Sequence, residues 1–443
     1  MNIAFEISPL ITASGTFGDK SGVYRYTYGL LKSLIHKIKK DHPDDKLFLF
    51  TFNGGMLFYS LNPELAELID NKQVFLVGYT EKLVIPKKHD NELIEYLSFP
   101  LIKYPLKLLD KMFGLRQFIA KKRNDRAFRG YVEQLKHEFT RLDIDVVYHS
   151  ETGFFPIGEF KNVITVYDLT TELLPSFHRE ATCDLQSRKL RFAKKYCDGV
   201  VTISKATQDD LKEFSPHFKK KKMIVAYPGL DETFEQAESS HEHVNLNDVL
   251  KSKSQTIQSK KYLLYYGTFE PRKNIVYIIR AFAALYEKGE IPQDFKMVLI
   301  GGQGWGNIKE MAIHFIKENY PLPEHNPFII LDYVSDTYLK AIIKNAYAVV
   351  YPSIYEGFGL PVLESMALGT QVICSDGSSL PEVGGEAAIY VNPKNFEDVK
   401  EKMRYVIAHP EIMEELSKKS IEQAHKFKWA DAANDVYDLL HNL

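Results

Sequence analysis

Short apolar runs recur along the chain in two series, each run bounded by polar or helical stretches. The first series comprises Asn2 to Ser8, Leu47 to Phe52, Val74 to Val77, Val146 to Tyr148, Val163 to Tyr167, Val200 to Ile203 and Ile224 to Tyr227. Their length and their β-branched and aromatic content predict buried strands. A Ser/Gly/Thr-rich loop from Ile11 to Gly22 leads into helical periodicity through about Ile38, a strand, glycine loop and helix in sequence. From Glu232 to Lys260 the composition turns polar and poor in aromatics, as in a linker or an exposed insertion. A second series then follows: Tyr262 to Tyr266, Lys296 to Ile300, Phe328 to Leu331, Ala348 to Tyr351, Gln371 to Cys374 and Ala388 to Val391. Strands alternating with helices predict an α/β fold with two doubly wound parallel sheets, and ligands at the carboxyl ends of their strands.

Bulk properties narrow the class. With 443 residues, 45% of them hydrophobic, the chain has enough apolar material for two cores. A formal charge of -2 gives no general attraction to nucleic acid. The cysteines Cys183, Cys197 and Cys374 have no metal-like spacing and leave an odd thiol, which favours a reducing compartment. Neither a signal-peptide pattern at the start nor an uncharged run of ~20 residues is present, so a cytoplasmic location is expected. Peripheral membrane contact stays open. Between residues 96 and 129, Leu, Phe and Met alternate with Lys and Arg, and Pro100 and Pro105 interrupt any single helix. That stretch suits either an anionic membrane surface or a core helix with a solvated basic face.

Chemistry concentrates where the fourth strand of the second series ends, in Tyr351-Pro-Ser-Ile-Tyr-Glu-Gly-Phe-Gly-Leu-Pro-Val-Leu-Glu364. Gly357 and Gly359 permit close backbone approach, Pro361 suits the first turn of a helix, and amides near Phe358, Gly359 and Leu360 can face an anion. Glu356 before the turn and Glu364 one turn into the helix would address two parts of an extended, hydroxyl-rich ligand such as a sugar and a ribose. Alternatively, Glu364 only complements the helix N-terminus and Glu356 is a solvated loop residue. Gly267-Thr-Phe-Glu-Pro-Arg-Lys-Asn274 follows another strand and puts Arg272 and Lys273 at a helix entrance, where phosphate would offset their unfavourable dipole environment; a solvated basic pair is the alternative. Gly301-Gly-Gln-Gly-Trp-Gly306 does not have dinucleotide-fingerprint spacing. Asp143-Ile-Asp145 has the form of a metal-binding D-x-D, although ordinary turn chemistry accounts for it.

The segment Tyr351 to Glu364 resembles the signature of the family 4 retaining glycosyltransferases of GT-B fold, in a form similar to bacterial mannosyltransferases, and the likeness continues from Ala367 through Pro393. The resemblance implies two Rossmann-like domains facing a cleft: residues 1–230 on the acceptor side, a linker or insertion at 231–260, a donor domain at 261–427, and a last helix, 428–443, returning to the first domain. It assigns Glu356 to the donor sugar, Glu364 to the ribose and Lys273 to the diphosphate. Arg272 compensates for Thr268, which stands where many members carry Arg. The loop containing Gly302 would lie near the base and phosphates, and Gly22 would serve the diphosphate. Val163-Ile-Thr-Val-Tyr-Asp-Leu169 is similar to a family segment reading His-Asp-Leu, so the match falls on Asp168, with Tyr167 in place of the His.

The candidate catalytic residues are therefore Glu356, Lys273 and Asp168. The candidate donor-binding residues are Gly22, Arg272, Gly302, Gly357, Phe358, Gly359, Leu360 and Glu364, with no metal and no cofactor beyond the substrate. The expected activity is metal-independent, retaining transfer of a hexose, mannose first, from GDP-mannose or a UDP-hexose to a glycan or polyprenyl-linked glycan. A nucleotide-sugar epimerase and a non-catalytic sugar-nucleotide binding subunit are the competing readings. Glu356→Ala and Lys273→Ala are each expected to abolish transfer in a protein that stays folded.

Overall fold

A computed structural model of the chain describes residues 1–12, 22–51, 67–70, 72–77, 130–151, 160–231, 234, 246 and 256–443. The glycine-rich loop at 13–21, the basic stretch at 96–129 and most of the polar segment at 231–260 lie outside the described residues. By packing, the described chain forms two compact units: Met1–Ile164 with Phe192–Gly199 and Leu440–Leu443, and Thr165–Arg191 with Val200–Leu439.

Every apolar run of the first series forms a strand: β1 (Asn2–Glu6), β2 (Lys46–Phe50), β3 (Val74–Leu76), β4 (Val146–His149), β5 (Lys161–Val166), β6 (Gly199–Thr202) and β7 (Lys222–Val225). Their order in the sheet is β3-β2-β1-β4-β5-β6-β7. β1 runs parallel to both β2 and β4. Asp145 accepts a hydrogen bond from the Asn2 amide at 2.7 Å, so the Asp143-Ile-Asp145 turn fastens the start of β1 beside β4. Turn chemistry accounts for the pattern. Ser204 caps the helix Lys205–Phe214 by accepting from the Thr207 amide, as its position after a strand suggests.

The second series gives β8 (Tyr262–Tyr266), β9 (Lys296–Ile300), β10 (Phe328–Leu331), β11 (Ala348–Tyr351), β12 (Gln371–Ser375) and β13 (Ile389–Val391), in the order β10-β9-β8-β11-β12-β13. All the pairings are parallel. β8, β11 and β12 are buried along their whole length, which is why they read as unbroken apolar runs and not as alternating ones. In both sheets the strand order reverses direction at one place, between β1 and β4 and between β8 and β11. At such a point the loops leaving two neighbouring strands diverge to opposite faces and leave a crevice between them.

The helix Ile275–Glu287 covers the second sheet with Ile275, Ile278, Ile279, Phe282 and Leu285, at helical spacing. Phe282 is fully buried, meets the Phe328 ring edge-on at 5.5 Å and stacks on Tyr286 at 6.4 Å. Phe282→Ala removes this plug from the helix-sheet interface and is expected to cost about 3–5 kcal/mol, read as a lowered urea midpoint.

Candidate active site

Residues 267–274 leave β8 and residues 352–359 leave β11, so the two motif loops start at the same reversal point of the second sheet. The loops are bonded to each other directly. The Ile354 amide donates to the Arg272 carbonyl at 2.8 Å, and the Ser353 hydroxyl oxygen lies 3.2 Å from the same carbonyl. Pro271–Lys273 forms a single 3-10 turn and Asn274 takes a left-handed conformation (φ 59°) before the helix Ile275–Glu287 starts. This geometry turns both cations back toward the β11 loop.

Glu356 is where they meet. Its Oε2 lies 2.8 Å from Arg272 Nη1 and its Oε1 2.6 Å from Lys273 Nζ, while the Ser353 hydroxyl donates to Oε1 at 2.6 Å. Arg272 is held further by Glu270 at 3.1 Å and by donation to the Tyr355 carbonyl at 3.0 Å. Lys273 also donates to the Tyr351 hydroxyl. The three charged residues are buried or nearly so, with Glu356 only 6% exposed. Glu356 is thus neither a solvated loop residue nor a lone acid, and Arg272 and Lys273 are not a solvated basic pair.

The electrostatics follow from that enclosure. Burial opposes the charge on Glu356, but the Arg272 and Lys273 cations, with hydrogen bonds from Lys273 and Ser353, outweigh it and hold the carboxyl down at about 2. Lys273 moves down from its ordinary value because burial and the neighbouring Arg272 charge disfavour its ammonium more than Glu356 favours it. The cluster therefore pairs a carboxylate held ionised with the Arg272 guanidinium and with a lysine whose ammonium burial disfavours. Together with Glu270, which neutralises one face of Arg272, it leaves Lys273 as the cation whose charge Glu356 must share.

Glu364 sits within the helix Leu360–Ala367, 3% exposed, with its Oε2 3.3 Å from the Tyr266 hydroxyl, which donates at 2.6 Å to the Pro361 carbonyl of the same helix. It is therefore held by the neighbouring strand β8 as well as placed near a helix N-terminus. Two glycines account for the intervening turn. Gly359 adopts φ +113°, and a Cβ there would fall 2.5 Å from Leu380; a Cβ on Gly357 would fall 2.4 Å from the Tyr167 carbonyl oxygen. Phe358 is buried between Tyr227 and Phe427, with ring centroids at 6.1 and 5.5 Å, so its side chain is a packing anchor for the turn. Leu360, half-buried, opens the helix.

Asp168 lies beside this turn, its Cβ 3.1 Å from where a Gly357 Cβ would be. Its Oδ1 accepts from the Thr170 amide at 2.9 Å and so organises the short turn Thr170–Leu173. The Tyr167 ring packs under the Lys189 ammonium, 4.8 Å from its centroid. Thr268, where an arginine was expected to be replaced by Arg272, uses its carbonyl to accept the Tyr265 hydroxyl at 3.0 Å. Gly302 is exposed, with open space around any Cβ, whereas its neighbour Gly301 would clash with the Gly267 carbonyl oxygen at 2.0 Å. Gly22 opens the helix Gly22–Asp41 in the first unit.

Sequence reasoning did not single out His178, Tyr351 or Ser353. His178 stacks on Trp305 at 6.0 Å, and nothing in the spacing of Pro175-Ser-Phe-His178 announces it. Tyr351 and Ser353 stand inside the quoted motif, where they were read only as strand end and turn. A shallow depression of about 560 Å³ elsewhere on the second unit, lined by Tyr286, Glu287, Lys288, Gly289, Gln293, Tyr320 and His325, contains none of the motif residues.

With this geometry in place, residues 247–426 match the family described as Glycosyl transferases group 1. Over that segment, less than half of its length, the chain resembles the group 1 glycosyltransferases. It is similar to O-antigen chain mannosyltransferase B of Escherichia coli, 25% identical over 67% of this chain and 75% of that protein. It is also similar to the serotype-specific mannosyltransferase WbdA of Escherichia coli, 29% identical over 54% of this chain but only 28% of that longer protein. Among solved structures, HepE of Anabaena in complex with UDP and glucose superposes over 100% of both chains with a TM-score of 0.61 at 14% identity. WaaG, a glycosyltransferase of lipopolysaccharide biosynthesis, does so over 99% of both at a TM-score of 0.56 and 12% identity. The fold is GT-B, with two parallel-sheet Rossmann-like domains, and the glycosyltransferase is an enzyme of the transferase class. Among the described residues of this glycosyltransferase, no helix is long and apolar enough to cross a membrane.

The ion cluster revises the expectation that Glu356→Ala leaves the fold unaffected, because it strands two cations in a buried site. Glu356→Gln keeps the shape and removes the charge, and a loss of about 3–5 kcal/mol is expected, measured by chemical denaturation at pH 7. Because the folded-state value of Glu356 is lowered, the carboxylate's contribution is complete above the ordinary value of 4.5 and disappears as pH falls through about 2. The stability gap between wild type and Glu356→Gln should therefore narrow between pH 4.5 and 2.

Proposed function

We propose that this glycosyltransferase is a metal-independent, retaining family 4 enzyme that transfers a hexose, mannose first, from a nucleoside diphosphate sugar to a hydroxyl of a glycan or polyprenyl-linked glycan. The observation that carries the reading is the Glu356 carboxylate held between Arg272 and Lys273 at the carboxyl ends of β8 and β11. In that position Lys273 is available to stabilise charge developing on a departing diphosphate, as preorganised cations do in a water-poor site. Glu356 would accept hydrogen bonds from the sugar hydroxyls and Glu364 from the ribose. The mannosyltransferase names of the Escherichia coli relatives support mannose and a glycan acceptor. The UDP and glucose bound to the Anabaena structure support a nucleotide-sugar donor, and keep UDP-hexoses within the test. The retaining outcome rests on the likeness of Tyr351 to Glu364 to the family 4 signature.

The acidity of Glu356 argues for recognition over proton transfer. A general acid must hold a proton near neutrality, and a carboxyl held at about 2 does not. The reaction would then need no protein acid, since a nucleoside diphosphate leaves as an anion.

A thermal-shift panel of GDP-mannose, UDP-glucose, UDP-galactose and UDP-N-acetylglucosamine should show its largest upward shift with GDP-mannose. A larger shift with a UDP-sugar would overturn the choice of donor. With the donor identified, Lys273→Ala should lower kcat by about 10²–10³. Normal turnover in that variant would sink the site assignment, and donor conversion without any acceptor would point to epimerisation.

A further inference from the structure

β11 ends in Tyr351, which is 1% exposed, although an apolar residue would complete this buried strand equally well. Its ring stacks on Tyr265 at 6.0 Å and 14°, and Tyr265 is itself fixed by donation to the Thr268 carbonyl and by the edge of the Phe269 ring at 6.0 Å. The phenol hydroxyl is therefore delivered at one place by two adjacent strands. There it accepts from the Lys273 ammonium, which is itself paired with Glu356 at 2.6 Å. A hydroxyl that accepts from a cation through its lone pair keeps its own proton available to a neighbouring acceptor. Ser353 supplies a second hydroxyl to Oε1 of the same carboxylate.

We propose that Tyr351 is a positioning residue for the transfer reaction, its hydroxyl fixing the Lys273 ammonium and the Glu356 carboxylate in one geometry so that both meet the donor in register. The proposal rests on the donor-site reading above. It adds that the positions of Lys273 and Glu356 are set from beneath by β11, not by their mutual attraction alone. The attraction is non-directional and leaves the lysine free to swing about the carboxylate, whereas the phenol gives it a second fixed contact. Small displacements of charged groups at a reacting centre are costly in rate.

Tyr351→Phe keeps the ring, the stack and the strand and removes only the hydroxyl. Its kcat for transfer is expected to fall about tenfold, with a smaller change in donor KM. The groups facing Lys273 are Arg272 and Glu270 from its own loop, Glu356 from the β11 loop, and Tyr351 from β11. Removing the phenol takes away an acceptor for the ammonium, so the basic limb of the pH-rate profile should move to lower pH. Tyr262→Phe is the control: Tyr262 is fully buried on β8 and donates to the Ile342 carbonyl, outside the ion cluster. It should lose stability without changing kcat or the profile. If Tyr351→Phe matches wild type in both readouts, or changes only in stability as Tyr262→Phe does, the proposal is overturned. Site-specific 3-fluorotyrosine at 351 retains the hydroxyl and the fold while weakening it as an acceptor, and should shift the same limb in the same direction. Should wild type transfer hexose from no donor, the functional reading fails by itself. Calorimetric binding of GDP and UDP to wild type and Tyr351→Phe across pH then tests the hydroxyl alone, with identical pH dependence counting against it.

Discussion

A carboxylate buried between two adjacent cations organises this site, and the surrounding structure is arranged around that constraint. Taking Glu356, Arg272 and Lys273 out of water is expensive, and their attraction offsets the expense only where geometry is good and the remaining hydrogen-bonding capacity is used. The protein meets that condition with neutral or oppositely charged partners for every member. Glu270 and the Tyr355 carbonyl hold Arg272, Tyr351 holds Lys273, and Ser353 holds Glu356. Removing Glu356 takes the shared counter-charge from two buried basic residues at once, so local stability depends most on that one carboxylate. Ordinary surface ion pairs of the same protein, such as Lys418 with Glu414, carry no such dependence because both partners are solvated.

Topology explains why these residues meet at all. Glu356 and Lys273 are far apart in sequence, yet β8 and β11 are parallel neighbours at the place where strand order reverses. Their following loops therefore leave from one edge of the crevice, and the hydrogen bond from the Ile354 amide to the Arg272 carbonyl locks one loop against the other. Glu364, one helical turn beyond the glycine turn, is tied back to β8 through Tyr266. Both glutamates thus sit against side chains of the same pair of strands, Lys273 and Tyr351 meeting beside Glu356 and Tyr266 lying beside Glu364.

Much of this was legible in the sequence, for identifiable reasons. Buried parallel strands must be apolar on both faces, so all thirteen described strands stood out as short apolar runs. Gly357 and Gly359 were recognisable because a glycine-rich turn before a proline-initiated helix has few other uses, and both prove to occupy places where a Cβ would collide. What was not legible was pairing across the fold. Arg272 and Lys273 could be read as phosphate-facing or solvated, but no local pattern states that both turn onto Glu356. The left-handed Asn274 that redirects them is visible only in the backbone. Tyr351 was hidden for the opposite reason: a tyrosine at the end of a buried strand looks like packing, and its hydroxyl acquires meaning only from what lies above it. Asp168 was found by motif, but its hydrogen bonds to Thr170 show a residue that shapes a turn beside the glycines.

The two glutamates differ physically in a way their symmetrical placement around the turn conceals. Glu356 is held ionised by two cations, so its charge is already spoken for and its remaining capacity is to accept hydrogen bonds with fixed geometry. Glu364 has a phenol hydroxyl as its neighbour from β8, a contact that orients a carboxylate without neutralising it. A pair acting as acid and base would need environments that push one carboxyl up toward neutrality and leave the other ionised. Here Glu356, although buried, is pushed down instead. On the donor-site reading proposed above, the two carboxylates would form a hydrogen-bond-accepting rim beside Lys273, gripping hydroxyls on one part of a ligand while Lys273 meets negative charge on another. That combination matches a ligand carrying both sugar hydroxyls and phosphate, and it does so without asking either glutamate to move a proton.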